Sequence, residues 1–198
     1  AKHGILIKSA ESLETAHKIT AVVLDKTGTC TEGKPKVREI HSLGITQNEL
    51  MTYAGSLEAN SSHPLAKSII SYCKENNIDI LPCNDYIETE GGGLSGIVNN
   101  KKILIGNKRL MEQHNTDISA LAEKAEKSAE NGSIPLFIAA DGKAVGIITA
   151  ADPVKSTSKE AVEMFRNLGI KTVMLTGDNS RTAKAICREL GIDEFHAE

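Results

Sequence analysis

Tryptophan is absent, and three Phe and three Tyr bring aromatics to only 3% of the 198 residues. Any hydrophobic core must therefore be aliphatic, and an apolar content of 40% supplies material for one large or two small domains. There is no basic excess: 23 Lys and Arg stand against 26 Asp and Glu, a net charge of −3. That balance offers no basic surface to a nucleic acid. No apolar run approaches the roughly 18–20 residues of a membrane span, and no signal-peptide pattern opens the sequence, so a soluble chain is expected. No Cys-x-x-Cys pair occurs: Cys30, Cys73, Cys83 and Cys187 stand apart. Their spacing fits no zinc or redox motif and reads as four free thiols in a reducing compartment.

What is present is organised around Val22-Val23-Leu24-Asp25-Lys26-Thr27-Gly28-Thr29. The apolar run predicts a short strand buried on both faces, as in a parallel sheet, and Thr27-Gly28-Thr29 breaks it into a turn. A carboxylate at the carboxyl end of such a strand lies where open α/β sheets bind ligands. Held there, Asp25 is suited to attack phosphorus and form an aspartyl phosphate, with Lys26 and the threonines adding charge and hydrogen bonds. A strand followed by an Asp-initiated turn is the plain alternative.

The string Asp25-Lys26-Thr27-Gly28-Thr29 resembles the phosphorylation signature of the P-type ATPases, cation pumps of the haloacid-dehalogenase superfamily. Gly4-Ile5-Leu6-Ile7-Lys8, Ser12-Leu13-Glu14 and Ser62-His63-Pro64-Leu65 are similar to the heavy-metal-transporting branch. Two departures stand out: Cys30 occupies a position that is nearly always Leu in the family, and Ser62 stands where Glu is usual.

Taken in order, Leu13, Ala16 and Ile19 fit a short packing helix. Gly33 and Pro35 read as a hinge. Thr46-x-x-Glu49 is a capping box opening a helix with Leu50, Ala54 and Leu57 on one face. Pro64 starts a second helix at its first turn, leaving His63 exposed at the N-terminus. The resemblance makes His63 an adenine contact and Glu58 its companion acid.

Glu90-Gly91-Gly92-Gly93-Leu94-Ser95-Gly96 formally fits Gly-x-Gly-x-x-Gly, but Ile97 to Ile105 reads as a hairpin about Asn99-Asn100, so the dinucleotide reading fails. As residues, this run is either a glycine turn into a hairpin or a ligand edge. The resemblance assigns Gly91, Gly93, Gly106 and Asn107 to a nucleotide site, where glycine lets backbone approach a flat purine. Asp117 to Asn131 predicts a helix with a stripe of Ile118, Leu121, Ala122, Ala125 and Ala129. Asp141-Gly142 joins two strands in a second hairpin of the same sheet.

Thr157-x-x-Glu160 predicts the cap of a further helix facing inward through Val162, Phe165 and Leu168. Thr172 to Leu175 then predicts a buried strand ending at Thr176-Gly177-Asp178 before another helix, a natural phosphate site. An Asp at position 152, in the return crossing, lies near the hinge and phosphates in the family.

The resemblance implies an α/β fold: an incomplete haloacid-dehalogenase-like (Rossmann-like) phosphorylation domain over 1–34 and 151–198, with an inserted α+β nucleotide-binding domain on a mostly antiparallel sheet over 35–150. It implies ATP and Mg²⁺ as cofactors, the metal taking Asp25 and the Thr27 carbonyl. It also implies a membrane-bound parent with this region on the cytoplasmic face. The partners would be that parent's transmembrane and actuator domains, with metal-binding domains or a copper chaperone acting on it. Copper(I) is the first choice of ion; zinc or cadmium is second.

The family's Gly-Asp-Gly-x-Asn-Asp string does not occur before Glu198, so the chain is expected to bind nucleotide but to phosphorylate poorly. Two alternatives remain: a soluble phosphatase of the superfamily, disfavoured because Thr27 stands where such enzymes carry a second Asp, and a binding module that only captures nucleotide.

Overall fold

Aliphatic residues recur in runs bounded by Gly, Pro, Asn and Asp, and those runs become two separate sheets. The structure, a computed structural model, describes residues 6–177 and 180–197. Strands β1 (Ala21–Asp25), β8 (Lys171–Thr176) and β9 (Glu194–Ala197) form a three-stranded sheet in the order β1-β8-β9. Both pairings are parallel. Between β1 and β8 the chain builds a six-stranded sheet from β2 (Lys36–Ser42), β3 (Cys83–Thr89), β4 (Gly93–Val98), β5 (Lys101–Gly106), β6 (Ile134–Ala140) and β7 (Lys143–Ala151). Its order is β2-β7-β6-β5-β4-β3, and every pairing is antiparallel.

The six-stranded sheet is packed on both faces, so its inner strands read as nearly continuous apolar runs. Ile103, Ile105 and Ile138 share one cluster with Leu50, Leu57 and Ile69, from α2 (Gln47–Glu58) and α3 (Pro64–Glu75). Leu104, Phe137 and Ile147 point the other way. They meet Met111 of α4 (Lys108–Gln113) and Leu121 of α5 (Ser119–Glu130). Each fully buried Leu or Ile contributes roughly 1.5–3 kcal/mol, and no aromatic-rich core is needed.

Local signals account for the joints. Asn99 and Asn100 both take positive φ, 50° and 60°, the mirror-image turn that matches strand twist in a two-residue hairpin. Thr46 caps α2 by accepting from the Glu49 N–H at 3.1 Å. The Glu49 carboxylate does not return to close the box. It takes the Tyr53 hydroxyl and Lys101 instead.

Several expectations are corrected. β1 is not buried on both faces: Val23 is 63% exposed, and Leu175, two residues beyond its register partner Val173 on the same face of β8, is 54% exposed. α6 (Ser156–Asn167) and α7 (Ser180–Leu190) both pack on the opposite face, through a cluster containing Val162, Met174, Ala183 and Ile186. Thr157 lies inside α6, whose N-cap is Lys155 with no side-chain cap bond, and Leu168 is exposed. The buried stripe of α5 is Leu121, Ala125 and Ser128; Ala122 faces out. α1 (Ala10–His17) buries none of its residues, so it is not a packing segment. Among the described residues no helix is long and apolar enough to cross a membrane, and all four cysteines are free.

Candidate functional site

Asp25 ends β1 and is exposed. It precedes a tight turn over Lys26–Cys30 that is non-helical at Thr27 and Gly28, and its side chain does not cap that turn. Gly28 in that turn has φ +76°, a conformation glycine adopts without strain. Lys26 is buried, as is Cys30, whose thiol is pushed up first by burial and then by Asp25. β8 lies beside β1, with Asp25 in register with Leu175, so Thr176 stands one residue beyond Asp25 on the neighbouring strand. Gly177 follows it, exposed. Asp178, the third member of that expected turn, lies outside the described residues.

The turn is held from the return crossing. The Thr31 hydroxyl donates to Asp152 Oδ2 at 2.5 Å and accepts from the Gly28 N–H at 3.3 Å. Asp152 also accepts from the N–H groups of Gly33 and Lys34, at 3.1 and 3.0 Å. Lys155 Nζ donates to the Gly28 carbonyl. Sequence reasoning noted Asp152 only by resemblance and missed Lys155 and Thr31. Their partners are far away in the chain, so no local pattern marks them.

Six residues expected at a nucleotide site converge. Glu58, His63, Gly91, Gly93, Gly106 and Asn107 all line one cavity of about 340 Å³, a size suited to a small ligand. Glu58 ends α2 and is 5% exposed. Burial, and secondarily the nearby Glu88, pushes its carboxyl up to about 7.

His63 is the N-cap of α3, and its Nδ1 accepts from the Leu65 N–H at 3.2 Å. In the neutral ring this puts the proton on Nε2. Asn107 has both ends of its amide engaged: Nδ2 donates to the Gly91 carbonyl at 2.8 Å, and Oδ1 accepts from the Leu110 N–H at 3.1 Å. It therefore holds the glycine turn to α4. Gly93 and Gly106 face each other across β4 and β5, where a side chain on either would strike backbone. Sequence reasoning missed Glu88, Ser61 and the apolar wall of Leu94, Ile105 and Leu136.

A second cavity of about 160 Å³ is lined by Lys26, Thr27, Gly33 and Asp152 on one side and by His63 and Leu65 on the other. His63, Leu65 and Ile134 line both cavities. The two spaces therefore adjoin, and together they run from the glycine edge to the loop after Asp25. Among the described residues no group of three or more His, Cys, Asp or Glu could hold a metal ion. The Asp25 carboxylate and the Thr27 carbonyl are too few to fill the near-octahedral shell of Mg²⁺ by themselves.

The parallel strands with an exposed aspartate at the sheet's carboxyl edge agree with the match of residues 19–198 to the haloacid dehalogenase-like hydrolase model. The chain belongs to that family. Within it, the whole chain is 40% identical over 197 residues to a copper-exporting P-type ATPase of Staphylococcus haemolyticus. It spans about a quarter (24%) of that relative's length.

Among solved structures, 99% of the chain superposes on 32% of a zinc-transporting PIB-type ATPase in its E2.Pi state, with TM-score 0.85 and 34% identity. It also superposes on 68% of the catalytic domain of the CPx-ATPase CopB-B, in a structure describing conformational changes upon nucleotide binding, with TM-score 0.72 and 27% identity. The resemblance to heavy-metal P-type ATPases thus covers the entire chain.

Proposed function

We propose that this chain is the ATP-binding and phosphorylation region of a heavy-metal-exporting P-type ATPase, divided into 1–34 with 151–198 and an inserted nucleotide-binding domain over 35–150. The supporting observation is the pair of adjoining cavities, which share His63 and link the six nucleotide-site residues to the loop after Asp25. The base occupies the larger cavity and the phosphates extend past His63. A carboxylate oxygen of Asp25 attacks the γ-phosphorus, the bond to the β-phosphate oxygen breaks, and ADP leaves. Water later hydrolyses the acyl phosphate, releasing inorganic phosphate and restoring Asp25.

Lys26 neutralises charge on the transferred group, and Thr27, Thr176, Gly177 and Asp178 position it. Mg²⁺ supplies charge neutralisation when bound, with Asp25 and the Thr27 carbonyl among its ligands and the rest of its shell contributed from outside the described residues. In the full pump this cycle drives copper(I) export from the cytoplasmic face, in concert with transmembrane and actuator domains. The copper assignment rests on the sequence relatives, while the zinc pump among the structural neighbours keeps zinc as the second choice. A soluble phosphatase is the less favoured reading because Thr27, not an acid, stands two residues after the nucleophile.

Calorimetric titration with ATP tests the site. His63→Gln lowers affinity roughly tenfold, about 1.4 kcal/mol; unchanged affinity overturns the His63 assignment. Acid-quenched labelling with γ-labelled ATP gives weak label that is absent from Asp25→Asn. Label that persists in that variant overturns the acceptor role.

A further inference from the structure

Glu58 is the one feature of the larger cavity that nucleotide binding as such does not explain. Its side chain is almost wholly buried and lines the cavity, yet among the described residues its carboxyl makes no hydrogen bond. The titratable groups that face it are Glu88 and Tyr86 from β3 and His63 at the start of α3. β4, β5 and β6 present only glycine and apolar residues there, and among the described residues neither Lys nor Arg lines the cavity. Glu88 is itself oriented by the Tyr86 hydroxyl, which donates to Oε2 at 3.2 Å. A carboxyl removed from water therefore faces a second, exposed carboxyl across the cavity, and among the described residues no Lys or Arg lines that space to pair with either. Burial and the neighbouring negative charge both favour the neutral form of Glu58.

We propose that Glu58 meets the nucleobase as a carboxylic acid, not a carboxylate, and that Glu88 is the positioning residue that keeps it in that form. The inference rests on the nucleotide reading above. A protonated carboxyl offers one O–H donor beside one acceptor, whereas the ionised group only accepts. Adenine presents an adjacent acceptor and donor, N7 and the 6-amino group, and the acid matches both. Guanine presents two acceptors on that edge, N7 and O6, and leaves one facing the carboxyl oxygen. Loss of the proton removes the donor and retains only the contact to the 6-amino group. An ionised Glu58 then gains a match with the N–H donors of guanine. The proton on Glu58 is thus what reads the base, and discrimination falls as pH rises through neutrality.

The test is calorimetric titration of the chain with ADP and with GDP from pH 5.5 to 8.5. Because both nucleotides carry the same diphosphate, its own titration cancels in the affinity ratio. The ADP-over-GDP preference is expected to fall at least fivefold from the acid to the alkaline end. In Glu88→Gln, a change at an exposed site, the inflection moves to lower pH by roughly half a unit or more. Glu58→Gln carries a permanent donor beside an acceptor, so its preference for ADP persists and becomes independent of pH.

A ratio that is flat with pH in the unsubstituted chain overturns the inference while leaving the nucleotide site standing. So does a ratio that still varies in Glu58→Gln, which would transfer the effect to His63. Absence of binding by both nucleotides at every pH overturns the nucleotide reading itself.

Discussion

Thr31 and Asp152 are 121 residues apart in sequence and 2.5 Å apart in space, hydroxyl to carboxylate. The contact ties the segment that leaves the Lys26–Cys30 turn for the six-stranded sheet to the residue that follows β7 on the way back. The backbone N–H groups of Gly33 and Lys34 join the same carboxylate, so one side chain closes both crossings between the sheets. Charge-assisted hydrogen bonds contribute roughly 1.5–3 kcal/mol each but do not add when they share an acceptor.

Asp152→Ala is therefore expected to lose about 3 kcal/mol in urea denaturation, and Asp152→Asn about half of that, since the amide oxygen still accepts. A loss below about 1 kcal/mol for Asp152→Ala would show that the crossing is held elsewhere.

The glycines of the 91–93 run answer to different demands. Gly93 has φ +145°, and a Cβ there would sit 2.1 Å from the Ile105 carbonyl oxygen. Gly91 has φ +61°, with only the end of the Arg109 side chain nearby at 3.4 Å. Gly93→Ala must therefore separate β4 from β5 and is expected to cost more than about 4 kcal/mol, enough to unfold much of the chain. Gly91→Ala pays only the left-handed penalty of about 1–2 kcal/mol and remains folded. Thermal melts of the two variants check the contrast; equal melting temperatures would contradict it.

Features marked by local chemistry were legible in the sequence. Asn99-Asn100 and Asp141-Gly142 announced their hairpins, Pro64 announced the start of α3, and Asp25 announced the end of β1. The edge strands of the large sheet, β2 and β3, were not legible. Both carry a register shift, between Val37 and Glu39 and between Asn84 and Ile87, and a bulge breaks the period-two alternation by which a strand is recognised. Their charged residues face solvent at the sheet's rims and look like loop.

At the candidate site, the six expected residues that line the larger cavity were legible only through resemblance, because periodicity gives no hint that α2, α3 and two hairpin strands converge. Glu88 had no signal at all. Its importance comes from facing Glu58, thirty positions away on another element, and nothing local to either residue encodes that.

Among the described residues β1 is an edge strand with an open face. Val23 and Leu175 lie on that face and are both more than half exposed. Edge strands with apolar faces pair with further strands or copies unless charge prevents it. The isolated chain is expected to associate as its concentration rises, and Val23→Lys is expected to shift sedimentation toward the monomer while leaving nucleotide binding unchanged. A monomer at all concentrations, or association indifferent to Val23→Lys, would exclude this face as the cause.

The proton on Glu58 has a consequence for stability that needs no ligand. Burial raises this carboxyl from an ordinary 4.5 to about 7 in the folded chain. Below 4.5 both folded and unfolded chains hold the proton, and folding is indifferent to it. Between 4.5 and about 7 the unfolded chain has released the proton and the folded chain has not, so folding takes up a proton and stability declines as pH rises. Above about 7 the folded chain must carry a buried carboxylate beside Glu88, and the deficit levels off at about 3 kcal/mol. Glu58→Gln has the same shape and never ionises. Its stability advantage over the unsubstituted chain is therefore expected to be near zero at pH 4.5 and to grow to about 3 kcal/mol by pH 8, read as the difference between two urea denaturation series. An advantage that stays constant across this range would mean that Glu58 holds no more tightly to its proton when folded than when unfolded, and would remove the basis for an acid in the cavity.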